Sequence, residues 1–98
     1  MRSKCPVANV LDIIGDRWTL LVIRDIAVFK KTSFSEMAAS PEGISPSTLT
    51  NRLEMLISEK LITKTALPGL PARQYRYALT KRGKRLLPIL EAMMDWNG

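Results

Sequence analysis

The stretch Ser33-Phe34-Ser35-Glu36-Met37-Ala38-Ala39-Ser40-Pro41-Glu42-Gly43-Ile44-Ser45-Pro46-Ser47-Thr48-Leu49-Thr50-Asn51-Arg52-Leu53 decides the fold. Ser33 and Glu36 have the spacing of a capping box, in which a hydroxyl and a carboxylate satisfy two N–H groups at a helix start. A short helix from about Phe34 to Ala39 follows. Pro41-Glu42-Gly43 reads as a turn. Ser45-Pro46 then restarts a helix with an N-cap and a proline whose missing N–H is harmless at the first position. Leu49, Leu53, Leu56 and Ile57 recur at helical spacing and give one buried stripe, while Ser47, Thr48, Asn51, Arg52 and Ser58 fall on the other side.

Upstream, Pro6 suits the start of a helix carrying Val7, Val10, Leu11 and Ile14 and ending near Gly15. Asp16 can cap a second, more apolar helix with Trp18, Leu21, Val22, Asp25 and Ile26 on one side, running to about Phe29. Lys30-Lys31-Thr32 breaks it. Downstream, Ile62 to Ala66 and Gln74 to Leu79 alternate as strands around the turn-forming Leu67-Pro68-Gly69-Leu70-Pro71-Ala72, a hairpin with a long tip. Thr80 can cap a last helix with Leu86, Leu87, Leu90, Met93 and Met94 apolar, and Pro88 within it predicts a kink.

Composition narrows the function. The 98 residues suit a single domain, and 46% hydrophobic with 24% charged residues is the balance of a chain that folds. Apolar runs such as Leu20-Leu21-Val22-Ile23 are far too short to span a bilayer, and Met1-Arg2-Ser3-Lys4 leads into no apolar signal core. A cytoplasmic protein without a membrane partner is therefore expected. One cysteine and no histidine argue against an internal disulfide, a metal site or a bound cofactor. Catalysis lacks a histidine base, a nucleophile elbow and a phosphate-cradling glycine loop, so no enzyme is expected.

The net charge is +6, and the excess is concentrated. Lys60, Lys64, Arg73, Arg76, Lys81, Arg82, Lys84 and Arg85 lie between Glu59 and Glu91 with no acidic residue among them, which suits either a solvated basic face or an anionic partner. Two short helices joined by a turn, the second with a polar N-terminal half, followed by a basic hairpin, make the order of a winged helix-turn-helix. The fold class is α+β, mostly α, with a two-stranded wing and terminal dimerisation helices.

In that fold the second helix presents its first turns to the major groove of double-stranded DNA, which places Ser45, Ser47, Thr48, Asn51 and Arg52 at base edges. Asn51 suits adenine; Arg52 suits guanine or a phosphate. In the wing, Lys64, Arg73 and Arg76 suit phosphates or the minor groove, while Tyr75, Tyr77 and Leu79 pack inward. Leu86, Leu87, Leu90, Met93, Met94 and Trp96 supply more apolar surface than a small domain should expose, which marks an interface with a second copy. A rival reading makes the apolar last helix and the Leu67-Pro68-Gly69-Leu70 tip a protein–protein surface; a steep salt dependence would favour DNA.

Cys5-Pro6-Val7, Gly15-Asp16-Arg17-Trp18-Thr19-Leu20-Leu21, Phe34-Ser35-Glu36-Met37, Gly43-Ile44-Ser45-Pro46, Leu49 to Leu56 and Tyr77-Ala78-Leu79-Thr80-Lys81-Arg82-Gly83 together resemble the HxlR family of bacterial and archaeal regulators, in order from Cys5 to about Trp96. The resemblance implies a homodimer built largely from the terminal helices and binding to a roughly palindromic operator. It also implies a recognition helix from Ser45 and a wing from Lys64 to Tyr77. In some relatives a cysteine in the Cys-Pro context senses oxidants or electrophiles. Here Cys5 stands at a predicted helix start near Arg2 and Lys4, which favours the thiolate, whereas a lone cysteine also serves as a small apolar residue.

Overall fold

The computed structural model describes residues 5–68 and 74–98. Pro6 opens α1 (Pro6–Ile14), and the Gly15 N–H closes it on the Leu11 carbonyl at 2.8 Å. α2 (Thr19–Ala27) starts later and stops earlier than a helix capped by Asp16 and running to Phe29 would. The cause at its start is Asp16, whose carboxylate accepts from the N–H groups of Trp18 (2.9 Å) and Thr19 (3.1 Å) and from the Thr19 hydroxyl. Those bonds hold residues 16–18 in a tight turn ahead of the helix. At its end Lys30 adopts φ 57° and the Lys31 N–H returns to the Asp25 carbonyl at 2.8 Å.

α3 (Phe34–Ala38) carries both halves of the capping box, and it ends one residue short of Ala39. α4 (Pro46–Ser58) begins where Ser45-Pro46 places it, with the Ser45 hydroxyl accepting from the Thr48 N–H at 3.2 Å. Its exit is equally defined. Lys60 takes φ 61°, and the Leu61 N–H reaches back to the Leu56 carbonyl at 2.9 Å, the reversal that turns Leu61 into the core.

β1 (Ile62–Ala66) and β2 (Tyr75–Leu79) pair antiparallel, with Ile62 opposite Leu79, Lys64 opposite Tyr77 and Ala66 opposite Tyr75. On its other side β2 is met by the loop after α2, since Tyr77 donates its N–H to the Thr32 carbonyl at 2.8 Å. The hairpin is thereby fixed to the helices.

The expectation of one kinked C-terminal helix is corrected: there are two helices, α5 (Lys81–Lys84) and α6 (Leu87–Asn97), separated at Arg85 and Leu86. Pro88 sits in the first turn of α6, where its missing N–H breaks nothing. α5 lies against the strand entry so closely that a Cβ on Gly83 would stand 2.1 Å from the Leu61 carbonyl oxygen.

Val22, Ile23 and Ile26 of α2, Met37, the Leu49, Leu53 and Leu56 stripe of α4, Leu61, Ile62, Tyr77 and Leu90 form one core. Ile57 is only half-buried. With Leu49 and Leu56 fully buried, the orientation of α4 about its own axis is fixed, and so is the face it turns outward. This is the winged-helix architecture.

Two glycines should respond differently to substitution. Gly43 has φ 75° with open space around it, so Gly43→Ala should cost about 1–2 kcal/mol and Gly43→Asn less, because Asn tolerates the left-handed region. Gly83 faces backbone that cannot move aside, so Gly83→Ala and Gly83→Asn should both cost about 2 kcal/mol or more. Urea unfolding of the four variants checks this.

Candidate nucleic-acid interface

The outward face of α4 is assembled from residues its core stripe leaves over. Ser47, Thr50, Asn51, Glu54 and Ser58 are exposed. Ser45 is exposed but its hydroxyl is occupied, capping the helix and lying 2.9 Å from Thr48 Oγ1, and Thr48 is half-buried. Of the five residues expected at base edges, Ser47 and Asn51 therefore present their polar groups to solvent, and Ser45 and Thr48 shape the helix entry. Thr50 is exposed on that face too and was not among the residues expected there. Its signal was its spacing of three from Ser47, which puts both on one helical face.

Arg52 takes a different place from the one expected. Its guanidinium turns back to the start of α2, with Nη1 3.5 Å from Asp16 Oδ1, and its Nε is buried with no hydrogen-bond acceptor among the described residues. Burial pushes the Asp16 carboxyl up, but the Thr19 hydroxyl, the N–H groups of Trp18 and Thr19 and the Arg52 charge outweigh it and hold the group below its ordinary value. Asp16 thus joins three elements: the end of α1, the cap of α2 and the flank of α4.

A second polar cluster holds the turn that leads into α4. Asp25 is buried on α2, where it accepts from the Ser40 hydroxyl at 2.7 Å and from Arg24 Nη2 at 2.7 Å. Arg24 also grips Glu42 with two bonds of 2.9 Å, and Lys31 Nζ donates to Ser40 Oγ at 3.1 Å. The bidentate grip of Arg24 lowers the Glu42 carboxyl from 4.5 to about 2. The Ser40–Asp25 and Glu42–Arg24 contacts lie on either side of Pro41, so the turn is held to α2 at both of its ends.

The wing resolves its cations by parity. Lys64 shares a face with Tyr75 and Tyr77, its Nζ 4.1 Å from the Tyr75 ring centroid, whereas Arg76 lies opposite Thr65 on the other face. Both are exposed. Arg73 and the hairpin-tip residues 69–73 lie outside the described residues, as do Arg2 and Lys4. Between wing and helices runs a cleft of about 490 Å³ lined by Ser33, Ser35, Thr50, Lys64, Gln74 and the two tyrosines among others. Hydroxyls, an amide and an ammonium converge there, a donor set suited to phosphate oxygens.

At the far end of the molecule the apolar residues divide. Leu90 is buried in the chain's own core and Leu86 and Leu87 are half-buried against it, while Met93, Met94 and Trp96 are exposed, the last by 89%. Val7, Val10 and Leu11 of α1 are exposed as well, and α1 buries only Ile14. An apolar groove of about 820 Å³ runs between them, with Leu11, Leu20, Leu21, Met93 and Met94 in its walls. Cys5 is exposed at the N-cap of α1. Among the described residues, no helix is long and apolar enough to cross a membrane, and no His, Cys, Asp or Glu cluster could hold a metal.

The family model for the HxlR-like helix-turn-helix matches residues 13–98. The chain belongs to the HxlR-like helix-turn-helix family. An HTH-type transcriptional regulator from Synechocystis is 34% identical over 96 residues, 94% of this chain and 70% of that protein. Another from Mycobacterium tuberculosis is 34% identical over 91 residues, 93% of this chain but only 56% of that protein. Among solved structures, the redox regulator HypR in its oxidized form has a TM-score of 0.83 at 28% identity, covering 94% of this chain and 93% of that one. The family and these relatives are transcriptional regulators and not enzymes, and family membership implies DNA binding.

The Arg24–Glu42 pair has a pH signature. A carboxylate lowered on folding contributes stability that is complete above its ordinary value of 4.5 and is lost as pH falls toward about 2. Acid unfolding of Glu42→Gln followed by tryptophan fluorescence should show a shallower loss of stability across that window than the native chain. In Arg24→Gln, carboxyl NMR should find Glu42 titrating back near its ordinary value.

Proposed function

We propose that this chain is a single winged-helix domain, residues 1–98, acting in the cytoplasm as a homodimeric transcriptional regulator that recognises a roughly palindromic operator. The observation that carries the reading is the exposed Ser47, Thr50 and Asn51 face of α4, held rigidly by the Leu stripe behind it, with Thr50 and Lys64 of the wing lining one cleft and Arg76 exposed on the wing's other face. Such a face fits the major groove while the wing meets the backbone. Ser47, Thr50 and Asn51 meet base edges, and Ser45 and Thr48 set the helix entry. Lys64, Arg73 and Arg76 neutralise phosphates. Arg52, anchored on Asp16, sets the tilt of the recognition helix.

Asn51→Ala should cost roughly 1–3 kcal/mol of operator affinity and relax specificity at one base pair. Arg76→Gln should weaken binding to all sequences alike and reduce the slope of log affinity against log salt by about one. Operators selected from random DNA and titrated at several salt concentrations measure both. A flat salt response would point instead to the apolar helix and hairpin tip as a protein-binding surface.

The partner copy docks through α1 and the end of α6. Met93, Met94 and Trp96 with Val7 and Leu11 offer the free apolar surface, and Leu86, Leu87 and Leu90 support it from the core side. Sedimentation equilibrium should find a dimer at micromolar concentration, and replacing both Met93 and Met94 by Glu should shift it to monomer.

Cys5 makes this assembly responsive to thiol oxidation or alkylation. Its place at the N-cap of α1 supports the reading, as does the likeness to HypR, solved in oxidized and reduced forms. An adduct there disturbs α1, and a small rotation between recognition helices that must span about 34 Å lowers affinity. Diamide should weaken operator binding by the native chain and leave Cys5→Ser unchanged.

A further inference from the structure

A second cavity, of about 250 Å³, borders the large apolar groove, sharing Ile14 and Ile89 with it, and none of its lining residues belongs to α4 or to the wing strands. Its walls are Ile13 and Ile14 of α1, Leu61 at the strand entry and Ile89 of α6, and its polar lining is Arg82 and Arg85. The two arginines differ. Arg82 is engaged, its Nε donating to the Glu59 carbonyl at 3.0 Å and its Nη2 3.7 Å from the Glu59 carboxylate. Arg85, at the junction of α5 and α6, is exposed and meets no carboxylate among the described residues.

We propose that this cavity binds a small organic anion with an aromatic or branched apolar body, its carboxylate received by Arg85. Three facts on the lining select that class. The isoleucines and Leu61 offer only apolar contact, so the body of the ligand must be apolar. The uncommitted cation is a planar guanidinium, which matches a carboxylate with two parallel hydrogen bonds. The volume falls just under the roughly 300–1,000 Å³ of sites for larger ligands, which limits the body to one or two rings.

The walls also say what occupancy does. Leu61 is held from both sides, its carbonyl accepting from the Thr80 N–H at 3.0 Å and the Gly83 backbone packed against it. The opposing wall is α1, which buries a single residue. A ligand therefore ties the loosely seated α1 to the rigid base of the wing and stabilises the chain in proportion to its saturation. The effect on operator affinity rests on the regulator reading above; the binding itself does not.

The test uses the full chain with its isoleucine δ1 methyls labelled and 2-naphthoate as the probe. Saturable shifts are expected at Ile13, Ile14 and Ile89, with Ile23, Ile26 and Ile44 as unmoved references. Arg85→Gln should weaken binding about tenfold or more, 2-naphthamide should bind weaker than the acid by a similar factor, and Ile13→Trp should abolish it by filling the space. Absence of a saturable shift at the Ile13 methyl, which unlike Ile14 and Ile89 does not line the apolar groove, at millimolar probe would overturn the proposal, as would binding indifferent to Arg85→Gln. Because no DNA is present, either result leaves the operator measurements to be judged separately.

Discussion

Asp25 is a carboxylate on the buried side of α2, and taking such a charge out of water is tolerable only where donors replace the solvent. Arg24, its neighbour in sequence, and Ser40, from the turn before α4, supply them. Removing one donor would leave an uncompensated buried charge, so the turn has essentially one place to sit. α4 leaves that turn within a few residues, and its leucines then lock against α2. The direction in which Ser47 and Asn51 point is therefore set by a polar contact made at the turn that precedes their helix. Stability and readout share the same anchor.

Much of this was legible in the sequence because it is local. The capping box at Ser33, the Ser45-Pro46 restart and the alternation of Ile62 to Ala66 and Gln74 to Leu79 involve neighbours a few residues apart, and each appears where the pattern puts it, the second strand starting one residue later at Tyr75. What escaped depends on residues distant in sequence. Nothing near Arg52 announces that it will reach Asp16, and the Arg24–Glu42 pair spans 18 positions. Pro88 shows a subtler limit: a proline inside a helical pattern can kink one helix or start another, and the close fit of Gly83 on Leu61 decides the matter. For Lys64 and Arg76 the strand parity was there to be read, since residues directly opposite in an antiparallel pair share a face, but only the register shows which residue lies opposite which.

The two ends of the molecule are built to different standards. Around α2, α4 and the hairpin base, side chains are enclosed and the buried carboxylate of Asp25 is paired, Arg52 Nε being the exception among the polar groups. α1 and the last turns of α6 are amphipathic helices whose apolar sides reach solvent in the single chain. A regulator needs this division: the reading head must be rigid before DNA arrives, whereas the part that receives a partner or a signal must have contacts still to make.

The hairpin has one further consequence. β2 is flanked on both sides, by β1 and by the Thr32 carbonyl, but among the described residues no strand lies beyond β1. An uncovered edge is a template on which another chain can extend a sheet. Here the edge is five residues long, and it carries threonines and a lysine in place of a hydrophobic row. Sheet extension between copies is thereby discouraged, and a crowded population of these molecules is steered toward helix-mediated pairing and away from fibrous stacking.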